Sequence, residues 1–138
     1  MTYDEIKESI RIHEGMRVQP YRCTEGHLTG GIGHKIHEGE EIPMDEEGWL
    51  KIFDKDFEIA LNGARRLLNE KETHPVAFGI VVEMCFQLGE FGVSKFKKML
   101  AAIEAKEYFD AGWEMKDSKW NQQTPHRCEE LSMRMRNI

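Results

Sequence analysis

The sequence predicts an α+β fold, mainly helical, with one small antiparallel sheet near the N-terminus. Three observations carry this. Apolar residues recur at spacings of three and four across 45–69. The run AFGIVVEMCFQL at 77–88 is apolar nearly all round. The stretch 17–36 instead sets Val18, Tyr21, Leu28 and Ile32 among Gly26, Gly30, Gly31 and Gly33, a pattern that suits short strands and tight turns rather than a helix. With 138 residues the chain fits one domain, long enough to bury a real core and too short for two independent ones.

In chain order, Thr2 followed by Glu5 has the form of a capping box, and Ile6, Ile10 and His13 then recur at helical spacing, which predicts a helix over about 3–14 with Glu14 at its C-terminal end. The sheet follows, with Pro20 favouring an edge strand because it has no N–H to give to a neighbour. From Asp45, the residues Trp49, Phe53, Phe57, Ala60, Ala64, Leu67 and Leu68 mark a long amphipathic helix to about Asn69, long enough to link two lobes. KETHP interrupts it. Pro75 suits the first turn of a buried helix to Leu88, with Gly89 and Gly92 as stop signals. Shorter helices are expected at about 94–105 from Ser94 as N-cap, at 107–116, and at 125–136 from Thr124 as N-cap with Pro125 first.

Composition excludes several classes of function. The net charge of −6 argues against general nucleic-acid binding, although residues 91–138 lean basic. No apolar run of bilayer length is expected, and hence no membrane insertion. The acidic start MTYDEIKESIRIHEG lacks the pattern of a signal peptide, so the expected starting compartment is the cytoplasm. Cys23, Cys85 and Cys128 lie far apart, with no ligand-type spacing to His or to each other; the expectation is free thiols, with no metal site and no cofactor.

The chemistry is concentrated in HEGMRVQPYRCTEGHLTGGIGH, residues 13–34. Glu14 stands at a junction of helix and sheet, where a carboxyl can be partly desolvated, as a general acid requires. Thr29 on a short strand can orient a water through its hydroxyl, or can simply be a strand former. Cys23 reads as a buried small hydrophobe, a nucleophile or a polar partner.

This run closely resembles the catalytic segment of T-even-type phage lysozymes, glycoside hydrolase family 24, with Glu14, Thr29, Gly31, Gly33 and His34 matching in type and spacing. MCFQLGEFGVSKF at 84–96 and SKWNQQTPHR at 118–127 resemble two further blocks of that family, in the same order. The resemblance implies a single lysozyme-like domain over 1–138 in two lobes, one sheet-bearing at about 15–60 and one helical at about 1–14 and 61–138, joined by the long helix. It implies an endolysin that cleaves the β-1,4 bond between N-acetylmuramic acid and N-acetylglucosamine in bacterial peptidoglycan. By position Glu14 would be the general acid and Thr29 would help hold the water. Phe86 and Gln87 would line the substrate cleft, Arg127 would pair with the glutamate, and His34 would be a structural, ion-paired histidine. Trp120 is expected in the core rather than as a sugar platform.

Cys23 departs from the pattern, standing where the family has its aspartate. A neutral thiol is a poor base, whereas a thiolate can take a proton from water or attack the anomeric carbon. Three readings follow: a muramidase with a Glu14/Cys23/Thr29 triad, a lytic transglycosylase that needs only the glutamate, and a non-hydrolytic peptidoglycan-binding module. The resemblance further implies a monomer acting at the end of a phage cycle. It would be held in the host cytoplasm and reach the periplasm and wall through a holin-type membrane lesion.

Overall fold

The computed structural model describes residues 2–23 and 25–138. Helix α1, Tyr3–Glu14, opens on the expected capping box: the Thr2 hydroxyl accepts from the Glu5 N–H at 3.2 Å, and the Glu5 carboxylate reaches back to the Thr2 N–H. Ile6 and Ile10 turn inward, and Gly15, at φ 73°, ends the helix and turns the chain into the sheet. Strands β1 (Arg17–Arg22), β2 (Leu28–Gly31) and β3 (His34–Lys35) form an antiparallel sheet in that order, with Tyr21 opposite Thr29. Pro20 lies on the edge strand, where the β1–β2 register is irregular between Arg17 and Tyr21.

Helix α2, Glu46–Leu67, starts from Asp45, whose carboxylate accepts from the Gly48 N–H at 2.8 Å. Its first turns fix the sheet in place. Trp49 is 1% exposed, lies against Gly30 and Gly31, and donates its indole N–H to the Val18 carbonyl at 2.9 Å. Further along, Phe53, Phe57, Ala60, Leu61 and Ala64 face the core, at the spacing the sequence shows. Burying a side chain the size of Phe57 contributes roughly 1.5–3 kcal/mol.

Helix α3, Pro75–Ser94, packs along α2 and also touches α1 and α7. It is long and apolar enough to cross a bilayer, contrary to the expectation that no such run exists; here its residues 77–85 are all buried and form the centre of the core. Gly89, at φ 79°, breaks the helical path where a stop was expected, yet the chain resumes and reaches Ser94. Ser94 is therefore not an N-cap: it ends α3, with its hydroxyl donating to the Phe91 carbonyl. Next come α4 (Lys97–Glu104), α5 (Tyr108–Lys116), α6 (Lys119–Gln123) and α7 (Pro125–Arg136). Of these α6, capped by Ser118, was not anticipated. Thr124 precedes α7 without a capping bond, because its hydroxyl accepts from the Gln87 amide at 3.2 Å.

Candidate active site

A cleft of about 520 Å³ opens where the end of α1 and the sheet face α3 and the start of α7. Glu14, Cys23, Thr29, Gln87 and Arg127 all line it, together with His13, Tyr21, Lys35 and His126, which the sequence reading had not selected. Phe86 and His34 lie instead along a smaller adjoining hollow of about 220 Å³, which shares Gly33, Lys35 and Gln87 with the cleft.

Glu14 is positioned from two sides. One carboxylate oxygen is 3.0 Å from Nη1 of Arg127. On the other side is Gly33, at φ 64°; a Cβ built there would fall 2.7 Å from the Glu14 carboxyl carbon. The glycine is required both for its backbone conformation and for the close approach of the acid.

Cys23 follows β1. Its N–H donates to the His27 carbonyl at 2.9 Å, and its own carbonyl accepts from Gly26, closing the turn. Burial raises the thiol pKa, but the nearby Glu25 and His27 backbone, the Thr29 hydroxyl and the Lys35 charge outweigh it and hold Cys23 below the ordinary thiol value. Thr29 is 4% exposed and its hydroxyl lies 3.0 Å from the His27 carbonyl. It has one proton for that carbonyl or for the Cys23 sulfur, and it keeps lone pairs that can accept from a water.

The helical wall is set by Gln87 and Trp120. Gln87 accepts from the Trp120 indole N–H at 2.9 Å and donates to Thr124, which ties α3 to the segment before α7. Trp120 is 3% exposed and belongs to the core. Phe86 packs edge-on to Phe53, with ring centroids 5.5 Å apart. His34 is held between Asp56, 2.6 Å from Nδ1, and Glu40, 2.7 Å from Nε2. Burial opposes the His34 cation, but the two carboxylates prevail and keep its pKa above the usual histidine value. His34 thus lies between two carboxylates, Asp56 and Glu40, neither of which the sequence revealed as a partner.

Behind Glu14 lies a polar network that sequence reasoning missed. Glu83, on the core helix and 1% exposed, receives the Ser9 hydroxyl at 2.6 Å, the His13 Nδ1 at 2.6 Å and the Arg127 Nε at 3.1 Å. The signal was present as the lone charge in AFGIVVEMCFQL, since a buried carboxylate demands partners. Among the described residues no group of three or more His, Cys, Asp or Glu is arranged to hold a metal ion.

An acid, a thiol and a hydroxyl on one open cleft of an α+β fold are the parts of a candidate active site. Comparison with known proteins gives that class its family. Residues 11–137 match the phage lysozyme family model. The chain is 33% identical to the probable T4-type lysozyme 2 of Dictyostelium discoideum, over 88% of each protein. It is 31% identical to the peptidoglycan hydrolase gp36 of Pseudomonas phage phiKMV, over 94% of this chain and 15% of that protein. It is 29% identical to the pre-baseplate central spike protein Gp5 of Enterobacteria phage T4, over 93% of this chain and 27% of that one. The chain belongs to the phage lysozyme family and is a glycoside hydrolase.

Proposed function

We propose that this protein is a muramidase that hydrolyses the β-1,4 bond between N-acetylmuramic acid and N-acetylglucosamine in bacterial peptidoglycan, with Glu14 as general acid, Cys23 as base or nucleophile, and Thr29 holding the water. The observation that carries this reading is that Glu14, Cys23 and Thr29 line one cleft, with Glu14 held by Arg127 and the Cys23 thiol held below its ordinary pKa. Phe86 and Gln87 are proposed to form part of the sugar-binding wall.

In the direct route the glycosidic bond breaks as Glu14 passes its proton to the leaving oxygen. Water, accepted by Thr29, attacks the anomeric carbon from the opposite face and gives its proton to the Cys23 thiolate. In the covalent route the sulfur itself attacks, and water later displaces it with Glu14 acting as base. Inverted product marks the first route and retained product the second.

We also propose that the enzyme acts as a monomer without a cofactor. It would accumulate in the host cytoplasm during a phage cycle and reach the wall after a holin-type protein opens the membrane. Expression in a host with and without a permeabilised inner membrane tests that route: lysis that needs no permeabilisation contradicts it.

The reaction is tested on purified walls by turbidity and by mass spectrometry of the product ends. Clearing with reducing ends, lost in Glu14→Gln, is the expected result. 1,6-anhydro ends would instead make the enzyme a lytic transglycosylase. Binding without clearing would make it a wall-binding module.

A further inference from the structure

His13 lies between two carboxylates. Its Nδ1 is 2.6 Å from a Glu83 oxygen on α3, and its Nε2 is in short contact with a Glu130 oxygen on α7. A neutral imidazole has one N–H, so one of these contacts would set a lone pair against an anion; only the imidazolium donates to both. Cations also lie near it, and the two carboxylates hold the imidazolium against them. Arg134 of α7 bonds Glu130 at 2.8 Å and the Ser9 hydroxyl at 3.1 Å, and across the cleft Lys35 comes from β3.

The network reaches the reaction through one guanidinium. Arg127 is 8% exposed and divided: Nε and Nη2 lie 3.1 and 3.0 Å from the same Glu83 oxygen, while Nη1 alone reaches Glu14. A guanidinium held bidentately would occupy both carboxylate oxygens of the acid and leave neither free for the substrate. Glu83 counters this by drawing two of the three contacting nitrogens to α3. Buried as it is, the Glu83 carboxyl needs partners, which His13, Ser9 and Arg127 supply.

We infer that His13 is a positioning residue for the reaction: as an imidazolium between Glu83 and Glu130 it fixes the Glu83 carboxylate, which restricts Arg127 to a single contact with Glu14 and so sets where the Glu14 carboxyl stands in the cleft. The inference rests on Glu14 being the general acid. His13 touches neither the sugar nor the reacting atoms; it acts through Glu83 and Arg127. Without Glu83, Arg127 is free to close on both Glu14 oxygens and draw the carboxyl out of place.

The test combines a measurement on the unaltered protein with two variants. Nitrogen-15 NMR of the histidine side chains at neutral pH is expected to show both His13 ring nitrogens protonated. In Glu83→Gln, a crystal structure is expected to show Arg127 closed on both Glu14 oxygens, with kcat reduced. In His13→Gln, which keeps a donor and removes the charge, kcat should drop about tenfold while KM stays within about twofold. A neutral His13 tautomer overturns the inference, as does an Arg127 that keeps its single contact with Glu14 in Glu83→Gln. If Glu14→Gln remains fully active, the acid assignment fails instead, and the NMR result still decides the charge on His13.

Discussion

Cys23 differs from the other two thiols of the chain in chemistry as well as place. Burial pushes Cys85 up to about 12 and Cys128 up to about 11, whereas Cys23, on the cleft, is held below the ordinary thiol value. A brief treatment with iodoacetamide at neutral pH should therefore label Cys23 first, as read by peptide mass spectrometry, and stop wall clearing; activity surviving complete labelling of Cys23 would show the thiol to be dispensable. Oxidation of Cys23 to the sulfenic acid should inactivate in the same way and be reversed by reductant. Glu14, Cys23 and Thr29 were legible as a group through the family pattern of the run that holds them, since each alone also read as an ordinary helix-end, buried or strand residue. His13 and Glu83, 70 positions apart, could not be paired from spacing, although the isolated Glu83 in an apolar run showed that a partner had to exist.

The elements that hold the site depend on two close approaches by glycine. Gly30 lies under Trp49 of α2, where an added Cβ would fall 2.5 Å from the indole ring, so Gly30→Ala should destabilise the fold by about 1–3 kcal/mol, measured by denaturant unfolding. At Gly33 the atom in the way belongs to Glu14. Gly33→Ala should therefore cost activity beyond its effect on stability, on the order of 100-fold in kcat at a temperature where the variant is fully folded, because a displaced acid no longer meets the glycosidic oxygen. Equal losses of stability and activity in the two variants would contradict this division. Most element boundaries were readable because capping is written locally: Thr2 with Glu5, Asp45 before α2, and Pro75 opening α3 each act within one turn. Ser94 misled for the complementary reason. A serine near a glycine can cap a new helix or close an old one, and the choice was made by α3 resuming beyond Gly89 and by the packing of Val93 in the core.

Across the whole molecule, the sheet is tied to α2 by Trp49 and by the His34 cluster, and this makes stability depend on pH. The native His34 pKa is raised, so its contribution is complete below the ordinary histidine range and is lost as pH rises through the raised value. Asp56, raised by burial, acts in the same direction from the carboxylate range upward. Although burial works against it, Glu40 is lowered by the His37 N–H and the His34 cation, so its share is present above the ordinary glutamate range and is lost in acid. The two carboxylates oppose one another in the acid range, so the clear signature is that of His34: replacing it with Asn should flatten the fall in unfolding free energy as pH rises above about 6.5. An unchanged slope would show that His34 does not hold the sheet through its charge. We propose that a thiolate at Cys23 does the work of the family's carboxylate; wall hydrolysis by the unaltered enzyme, Cys23→Ala and Cys23→Asp, with product end groups and anomeric form identified, decides this. A loss on the order of 100-fold or more is expected in the alanine variant, and retention of much of the activity, with reducing ends, in the aspartate variant. Full hydrolysis by Cys23→Ala would contradict it.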